Sequence, residues 1–494
     1  MLKDIVSRFL LAALSIETIL QEVTIHRRRQ KLWAMLNGLD LRGAYGATLE
    51  RIKAQGGEKT KLGMAVLMWI TYSRRPLHVD EIRHAIATHI GSNGLNSDDV
   101  PAISTLLGCC QGLVTIDKGT STIRLIHFTL KEYLGTLPDL FDRAHSKMAE
   151  TCLTYLNFRH VKDLSGGPSF EPRNTPFLEY SSLYWGTHMR IELSDLAKNS
   201  ALELLNNFDS HISAKLLWDS ISWEFAIGPT PGRKPFSALH CISYFGIAEV
   251  AAILIKMNKW DVNGTDDAGM TPLIWAARCG HGELVKLLLR EKNIQPDQQD
   301  TNYGRTPLSW AAENGHEDVV RLFLGLRLAN SGNLGRQWGK APRVAGLLFG
   351  RRYINPDCSS KSGRTPLSWA AEKGHEGIVK LLLERRDINP NTSDTIYGRT
   401  PLLWAAGTGH EEIVKLLLES RNVNPNISSK SGQTPLLWAA ETGHEGIVKL
   451  LLEMRGVNPN ISSKAGQTPL MLATKNGHDK IVELLQAPPS RRTR

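Results

Sequence analysis

The sequence predicts a mainly α chain whose second half is an α-solenoid of about seven repeats, preceded by a small helix-and-hairpin domain and a helical connector. Three observations carry this expectation: a T-P-L phrase recurring about every 34 residues, apolar residues at helical spacing, and one predicted hairpin. At 494 residues the chain is too long for a single core. Its 22% charged and 41% hydrophobic residues are the balance of a globular protein. Cys109, Cys110, Cys152, Cys241, Cys279 and Cys358 show no C-x-x-C spacing. That argues for reduced thiols in a cytosolic or nuclear compartment, and against a disulfide scaffold or a zinc site.

In "MLKDIVSRFLLAALSIETIL" the apolar run Phe9 to Leu14 is short and hemmed by Asp4 and Glu17. Val6, Phe9, Leu10, Ala13 and Leu20 share one helical face, so an amphipathic helix is expected rather than a signal peptide. No run approaches the length needed to span a bilayer, and no membrane partner is expected. The net charge of +10 is partly concentrated in "HRRRQK" (26–31) and "SRRTR" (490–494), the latter within a basic tail expected to be disordered over 487–494. Such runs read as solvated surface; they leave import into the nucleus open beside a cytoplasmic location.

Residues 58–134 read as helix, helix, helix, strand, strand, helix, which suits a small winged-helix domain at 57–137. "KTKLGMAVLMWITYSRRPL", "VDEIRHAIATHI" and "DDVPAISTLLGCCQG" are its helices, and "LVTIDKGTSTIRLIHF" is the hairpin. A DNA-reading winged helix needs basic or amide side chains on its third helix. Residues 92–112 hold Asp98 and Asp99 and no Lys or Arg, so no specific nucleic acid is expected. A helical connector follows at 138–234, where "MAETCLTYL" and "SALELLNNF" have amphipathic spacing around the loop "SGGPSFEPRNTP".

The repeated phrase begins at Thr271, Thr306, Thr365, Thr400, Thr434 and Thr468, with steps of 35, 59, 35, 34 and 34. A weaker copy starts at Ser237 in "SALHCISYFG". The local chemistry explains the wording. Thr365 is suited to cap a helix whose first turn holds Pro366. Leu367, Trp369, Ala370 and Ala371 form a short first helix; Gly374 ends it and His375 opens the return. Ile378, Val379, Leu381, Leu382 and Leu383 give the second helix its apolar side, and "RRDINPNTSDTIYGR" supplies an extended finger.

A period of 33–34 with T-P-L, A-A, G-H and L-L-L resembles the ankyrin repeat over residues 235–486. The resemblance implies copies 1–3 at 235–324 and copies 4–7 at 351–486, stacked into a solenoid because no single unit can bury its apolar faces. Leu472 in place of the recurring tryptophan, with Gln486, marks the last copy as a polar cap. Trp275, Trp310, Trp369, Trp404 and Trp438 share one position and read as a packing ladder rather than a ligand-gripping stripe. His281, His316, His375, His410, His444 and His478 recur in register, each a repeat apart, so they read as turn-stabilising rather than metal-binding. The N-x-S/T matches at Asn263, Asn391, Asn426 and Asn460 follow no secretory signal and are not expected to carry glycans.

"RLIHFTLKEYL" (124–134), "ATLERIK" (47–53) and "FLEYSSLYWGTHM" (177–189) resemble phrases of fungal STAND proteins of the NACHT type. A winged helix followed by ankyrin repeats is common in those fungal relatives of NOD-like receptors. The resemblance makes residues 1–56 a helical remnant of the end of a NACHT module, and His127 the candidate position for a nucleotide sensor. Phe128 stands where plant-type relatives carry an acidic neighbour. No G-x-x-x-x-G-K-[ST] occurs; "GPTPGRK" (228–234) and "GRQWGK" (335–340) have the wrong spacing. Phosphate-cradling amides, lysine and Mg²⁺-binding hydroxyl are thus missing, and neither an enzyme nor a cofactor is expected. The resemblance therefore implies a truncated member, or a gene model lacking its 5′ part.

The leading expectation is a scaffold that binds an unidentified protein partner through the solenoid; the alternative is a regulatory STAND ATPase, if the frame extends upstream. Binding residues are expected where the copies differ: Arg278, Glu313, Glu372 and Glu441 at the ends of first helices, and Tyr303 and Tyr397 in fingers. The step from Thr306 to Thr365 is 25 residues longer than the usual 34. The segment 325–350 holds six glycines and no Asp or Glu, and "RLFLGLRLAN" overlays "GLLFGRRYIN" at that shift. A decayed repeat, a retained intron or gene-model error, and a functional loop are all compatible with it. Each predicts irregular structure interrupting the stack between Leu324 and Arg351.

Overall fold

A computed structural model describes residues 23–30, 41–164, 175–222, 236–325, 354–420 and 422–487. The amphipathic helix expected at 1–20, nearly all of the 325–350 segment and the basic tail from 488 lie outside the described residues. The chain divides into two units, Met1–Ile221 and Ser222–Arg494.

In the first unit α1 (Leu41–Ala54) turns through Gly56 into α2 (Gly57–Tyr72). Gly63 in α2 is required by packing, because a Cβ there would sit 2.7 Å from the Cys109 carbonyl oxygen. Strand β1 (Leu77–His78), helix α3 (Val79–Ala87), helix α4 (Ile103–Cys109), strands β2 (Val114–Asp117) and β3 (Thr122–Leu125), and helix α5 (Phe128–Gly135) follow. The strands form one antiparallel sheet in the order β1-β3-β2, with Leu77 opposite Ile123 and Ile116 opposite Ile123 on its other side.

This is a winged-helix arrangement, with two corrections to the sequence reading. Two residues after Pro76 are too few to show alternation, so β1 was not anticipated; it exists because the edge of β3 needs a partner. The third helix is only Ile103–Cys109, because Asn96 caps a separate turn at Ser97–Asp99 and Pro101 cannot extend a helix. The start of α3 is fixed by Glu81, 4% exposed, which accepts the His78 N–H at 2.7 Å and two Arg75 bonds at 2.6 and 2.8 Å.

Helices α6 (Ala144–Leu156), α7 (Leu178–Ile191), α8 (Asp195–Asn206) and α9 (Ile212–Ser222) are the longer helices that follow, with one further turn of helix at Arg159–Lys162. Its core is aromatic. Trp69 of α2 meets Phe177 edge-on at 5.4 Å, and Phe177 stacks on Tyr180 and meets Tyr155 at 5.3 Å. The geometry is that of favourable quadrupole pairing. Residues of the connector and of the winged helix therefore share one core.

In the second unit the described residues contain seven helix pairs. They are α10 (Ala238–Phe245) with α11 (Ala248–Lys256), α12 (Pro272–Arg278) with α13 (Gly282–Leu288), and α14 (Pro307–Glu313) with α15 (Glu317–Phe323). Then come α16 (Pro366–Lys373) with α17 (Glu376–Leu383), and α18 (Pro401–Thr408) with α19 (Glu411–Glu419). The last pairs are α20 (Pro435–Thr442) with α21 (Glu445–Glu453), and α22 (Pro469–Lys475) with α23 (Asp479–Gln486).

The expected start signal operates in the six T-P-L copies. Thr271, Thr306, Thr365 and Thr400 each accept an N–H three residues on, at 3.2–3.3 Å, with proline in the first turn. Gly374 ends α16 in the left-handed region at φ 82°, and a Cβ there would also meet the His410 ring at 2.7 Å. One glycine thus serves both the turn and the neighbouring copy.

Copies on either side of residues 326–353 stack directly on each other, which corrects the expectation of an interrupted stack. His375 donates to the Glu313 carbonyl at 2.9 Å and the Lys361 N–H donates to Tyr303 O at 2.9 Å, as at the other junctions. The extra residues fall in the link after α15, where the interface between helix pairs does not depend on loop length.

Candidate protein-interaction surface

The five recurring tryptophans form a ladder, as the sequence suggests, but arginines stand between its rungs. Arg278 lies 5.5 Å from the Trp275 ring centre and 4.9 Å from Trp310. Arg305 fills the next gap, 4.5 Å from Trp310 and 3.8 Å from Trp369. Arg364 follows, 3.5 Å from Trp369 and 4.2 Å from Trp404, and Arg399 lies 4.7 Å from Trp404 and 4.1 Å from Trp438. Cations over ring faces at this separation are attracted by the ring quadrupole, the more so when desolvated. Sequence reading missed Arg305, Arg364 and Arg399. The signal was the residue before T-P-L, which is arginine in three copies and Met270, Gln433 or Gln467 in others.

The predicted partner-binding residues fall beside this ladder. Glu313 pairs with Arg305, and Glu372 takes Arg364 Nη2 at 2.6 Å. The Glu441 carboxylate accepts from the neutral Gln433, at 2.7 Å, and its backbone carbonyl accepts from Asn476 Nδ2–H at 2.7 Å. Arg278 is itself a ladder cation. Tyr303 is half-buried against Trp310 at 6.0 Å, whereas Tyr397, at the same position, is 52% exposed and adjoins Ile396, 56% exposed. Thus Arg278, Glu313 and Glu372 are committed within the chain, and Tyr397 is the most open of the set.

The fingers also hold buried acids that sequence reading took only as turn formers. Asp300 accepts the Asn302, Tyr303 and Arg305 N–H groups and the Trp310 indole N–H, at 2.6–3.1 Å. Asp266 accepts Ala268, Met270 and Trp275 in the same way. These two carboxylates fasten their fingers to Trp310 and Trp275.

The recurring histidines do stabilise turns, and they do so across copies. The Nε2–H of His281, His316, His375 and His410 donates to a carbonyl at the end of the preceding first helix, at 2.8–2.9 Å. His410→Ala removes such a bond and leaves a void beside Gly374. It is expected to lower stability by about 1–2 kcal/mol in a denaturant titration.

Asn263, Asn391 and Asn426 of the N-x-S/T matches likewise donate to a backbone carbonyl about one repeat further on. Asn391 donates Nδ2–H to Asn422 O at 2.6 Å and accepts the Asn424 N–H at 2.9 Å; Asn263 does the same with Asn293 O and Gln295 N. At the equivalent Asp357 only half the bridge is made. Oδ2 accepts the Asn389 N–H at 3.2 Å, while Oδ1 is buried without a partner and burial raises the carboxyl pKa. Asp357→Asn restores a donor and is expected to stabilise by about 1 kcal/mol at neutral pH. A carboxyl with a raised folded pKa weakens the fold once ionised, so this gain should shrink in thermal melts at pH 4 and below.

His127 caps α5: its Nδ1 accepts the Thr129 N–H at 3.4 Å and contacts the Thr129 hydroxyl at 2.7 Å, which in turn meets Tyr45 Oη at 2.9 Å. Phe128 beside it is 58% exposed. Asp98 and Asp99 stand before α4, which carries no basic side chain. Among the described residues no cluster of His, Cys, Asp or Glu could hold a metal ion, and no helix is long and apolar enough to cross a membrane.

Family models match parts of both units of the chain. Residues 49–149 match the family described as GPI inositol-deacylase, winged helix domain. A curated relative, ankyrin repeat-containing protein C6C3.08 of Schizosaccharomyces pombe, is 31% identical over 131 residues, which are 26% of this chain and 46% of that protein. The chain thus spans less than half the length of this relative. Among solved structures, the ankyrin repeat domain of Bcl-3, a member of the IkappaB protein family, is 22% identical with a TM-score of 0.40. That match covers 53% of this chain and 99% of the other. Residues 239–333, 338–429 and 420–491 match the family described as Ankyrin repeats (3 copies), about half of the whole chain. The chain belongs to the ankyrin-repeat family.

Proposed function

We propose that the chain is a protein-interaction scaffold whose solenoid binds a partner protein through its finger tips and the ends of its first helices. The positions concerned are those of Arg278, Tyr303, Glu313, Glu372, Tyr397 and Glu441, of which Arg278, Glu313 and Glu372 also hold the ladder and Tyr397 is the most open to a partner. The carrying observation is the adjacent pair Ile396 and Tyr397, apolar side chains left more than half exposed on a finger whose backbone is otherwise pinned by Asp394. Exposed aromatic anchors on a rigid frame are the features from which binding hot spots are made. The test is affinity capture from cell extract with the wild-type chain and an Ile396→Ser/Tyr397→Ser variant. A protein held by the former and released by the latter supports the reading. Equal capture by both removes this finger from it.

The scaffold is further proposed to work in a STAND-type signalling protein, in the cytoplasm with import into the nucleus open. Support comes from the winged helix preceding the repeats and from the phrases around His127. No catalytic role is assigned to any residue of this chain. Equilibrium dialysis with ATP is expected to detect no binding at micromolar concentration; micromolar affinity would overturn that assignment and make His127 a nucleotide-sensor candidate.

A further inference from the structure

Arg305, Arg364 and Arg399 occupy one repeat position, and two of them find their carboxylate in the same place. Arg305 donates to Glu313 and Arg364 to Glu372, in each case eight residues further along the chain. The same step from Arg399 arrives at Gly407. Among the described residues, nothing accepts a hydrogen bond from the Arg399 guanidinium, although its backbone N–H is bound by Asp394 at 3.0 Å. The group is nonetheless firmly placed, 4.7 Å from the Trp404 ring centre, 4.1 Å from Trp438 and 4.5 Å from Tyr397.

The chain cannot supply the missing acid from position 407, because a Cβ there would collide with the Trp438 ring. Asp394 is no substitute: it is buried, and its carboxylate takes the Tyr397 and Arg399 N–H groups at 2.6 and 3.0 Å. Burial lowers the Arg399 pKa below its ordinary value, with Arg364 adding to the shift; Asp394, Tyr397 and Glu372, the last already bonded to Arg364, only partly oppose it. The result is a planar cation, fixed between aromatic faces, with its donors unused.

We propose that Arg399 anchors an acidic peptide: a partner's Asp or Glu carboxylate takes the place that Glu313 and Glu372 fill in the sister copies, and an apolar neighbour of that residue packs on Tyr397 and Ile396. The sister slots define the chemistry, since each accommodates one planar carboxylate. A guanidinium meets such a group through a charge-assisted bond, as it does once in each sister slot, and here it is held in place before the partner arrives. Tyr397 and Ile396 supply apolar area beside the charge, as a hot spot requires. The inference rests on the scaffold reading and names the chemical class of partner for it.

The test begins with a phage-displayed library of random peptides selected on the whole chain, followed by affinity measurements on the recovered peptides. The expected result is enrichment of peptides with an Asp or Glu beside an aliphatic or aromatic residue. Changing that acid to its amide should weaken binding about tenfold or more. Arg399→Met, which keeps the stem between the rings, should cause a similar loss, and combining both changes should add little. Because the amide change is made in the peptide, the result does not depend on how the protein variant folds. Peptides that bind Arg399→Met at full strength, or losses that simply add, overturn the proposal and leave the scaffold reading standing. Failure to recover any peptide, together with failure of affinity capture, counts against both.

Discussion

Arg364→Ala is expected to lower the stability of the solenoid by about 3 kcal/mol, and to split its unfolding into two transitions. Arg364 is 7% exposed and does three things at once. Its guanidinium lies 3.5 Å from the centre of the Trp369 ring and 4.2 Å from that of Trp404, which belong to successive copies. It pairs with Glu372 at 2.6 Å and donates to Ser368 O at 3.3 Å. Removing it strands a carboxylate that is only 20% exposed and opens a gap between two copies. In a stack stabilised by nearest-neighbour interfaces, weakening one interface uncouples the blocks on either side of it. Tryptophan fluorescence in a guanidinium titration, compared with wild type, measures the change, because five of the twelve tryptophans are ladder rings. Adding Glu372→Ala should recover part of the loss, since the stranded charge is then removed. A single cooperative transition shifted by less than about 1 kcal/mol would mean that the stacked arginine is dispensable.

The comparison of Arg364 with Thr365 shows what could be read from the sequence. The threonine acts on its own helix, three residues away, so its role follows from local chemistry. The glycine turns and apolar faces are local in the same sense, and seven copies repeat the message. Arg364 depends on Trp404 of the next copy, so its partner becomes visible only once the copies are stacked. The same holds for His410, legible as a turn residue but not as the donor to Glu372 O in the copy before. Position-to-position variation located Glu313 and Glu372, yet variation alone could not show that each follows its own arginine. It missed Arg399 for the converse reason: what is informative there is the glycine eight residues later that leaves it unpaired. In the first unit, β1 escaped because a two-residue strand has no periodicity, only a neighbour in need of hydrogen bonds.

Acid should weaken the first unit well before its carboxylates titrate. His188 is fully buried, bridging Tyr180 Oη at 2.9 Å and His145 Nδ1 at 2.8 Å. Burial, with His145 and Arg74 nearby, pushes its pKa down to about 3. His211 caps α9, accepting the Ser213 N–H at 3.1 Å, and its Nε2 meets Leu156 O at 3.1 Å. Burial pushes its pKa down to about 4, against the opposing effect of that carbonyl. Both rings are therefore neutral in the fold, whereas in the unfolded chain they take up a proton near pH 6.5. The unfolded state binds more protons between those limits, so stability is full above about pH 6.5 and falls as the pH drops toward the folded values. At pH 5 each site should contribute a loss of about 2 kcal/mol, or about 4 kcal/mol for the pair. Urea titrations followed by far-UV circular dichroism at pH 7 and pH 5 measure the difference. His211→Asn keeps an acceptor for the cap but cannot be protonated, so it should be less stable than wild type at pH 7 yet lose about 2 kcal/mol less on acidification. An unchanged pH dependence in that variant would mean that His211 is already solvated, or already charged, in the folded protein.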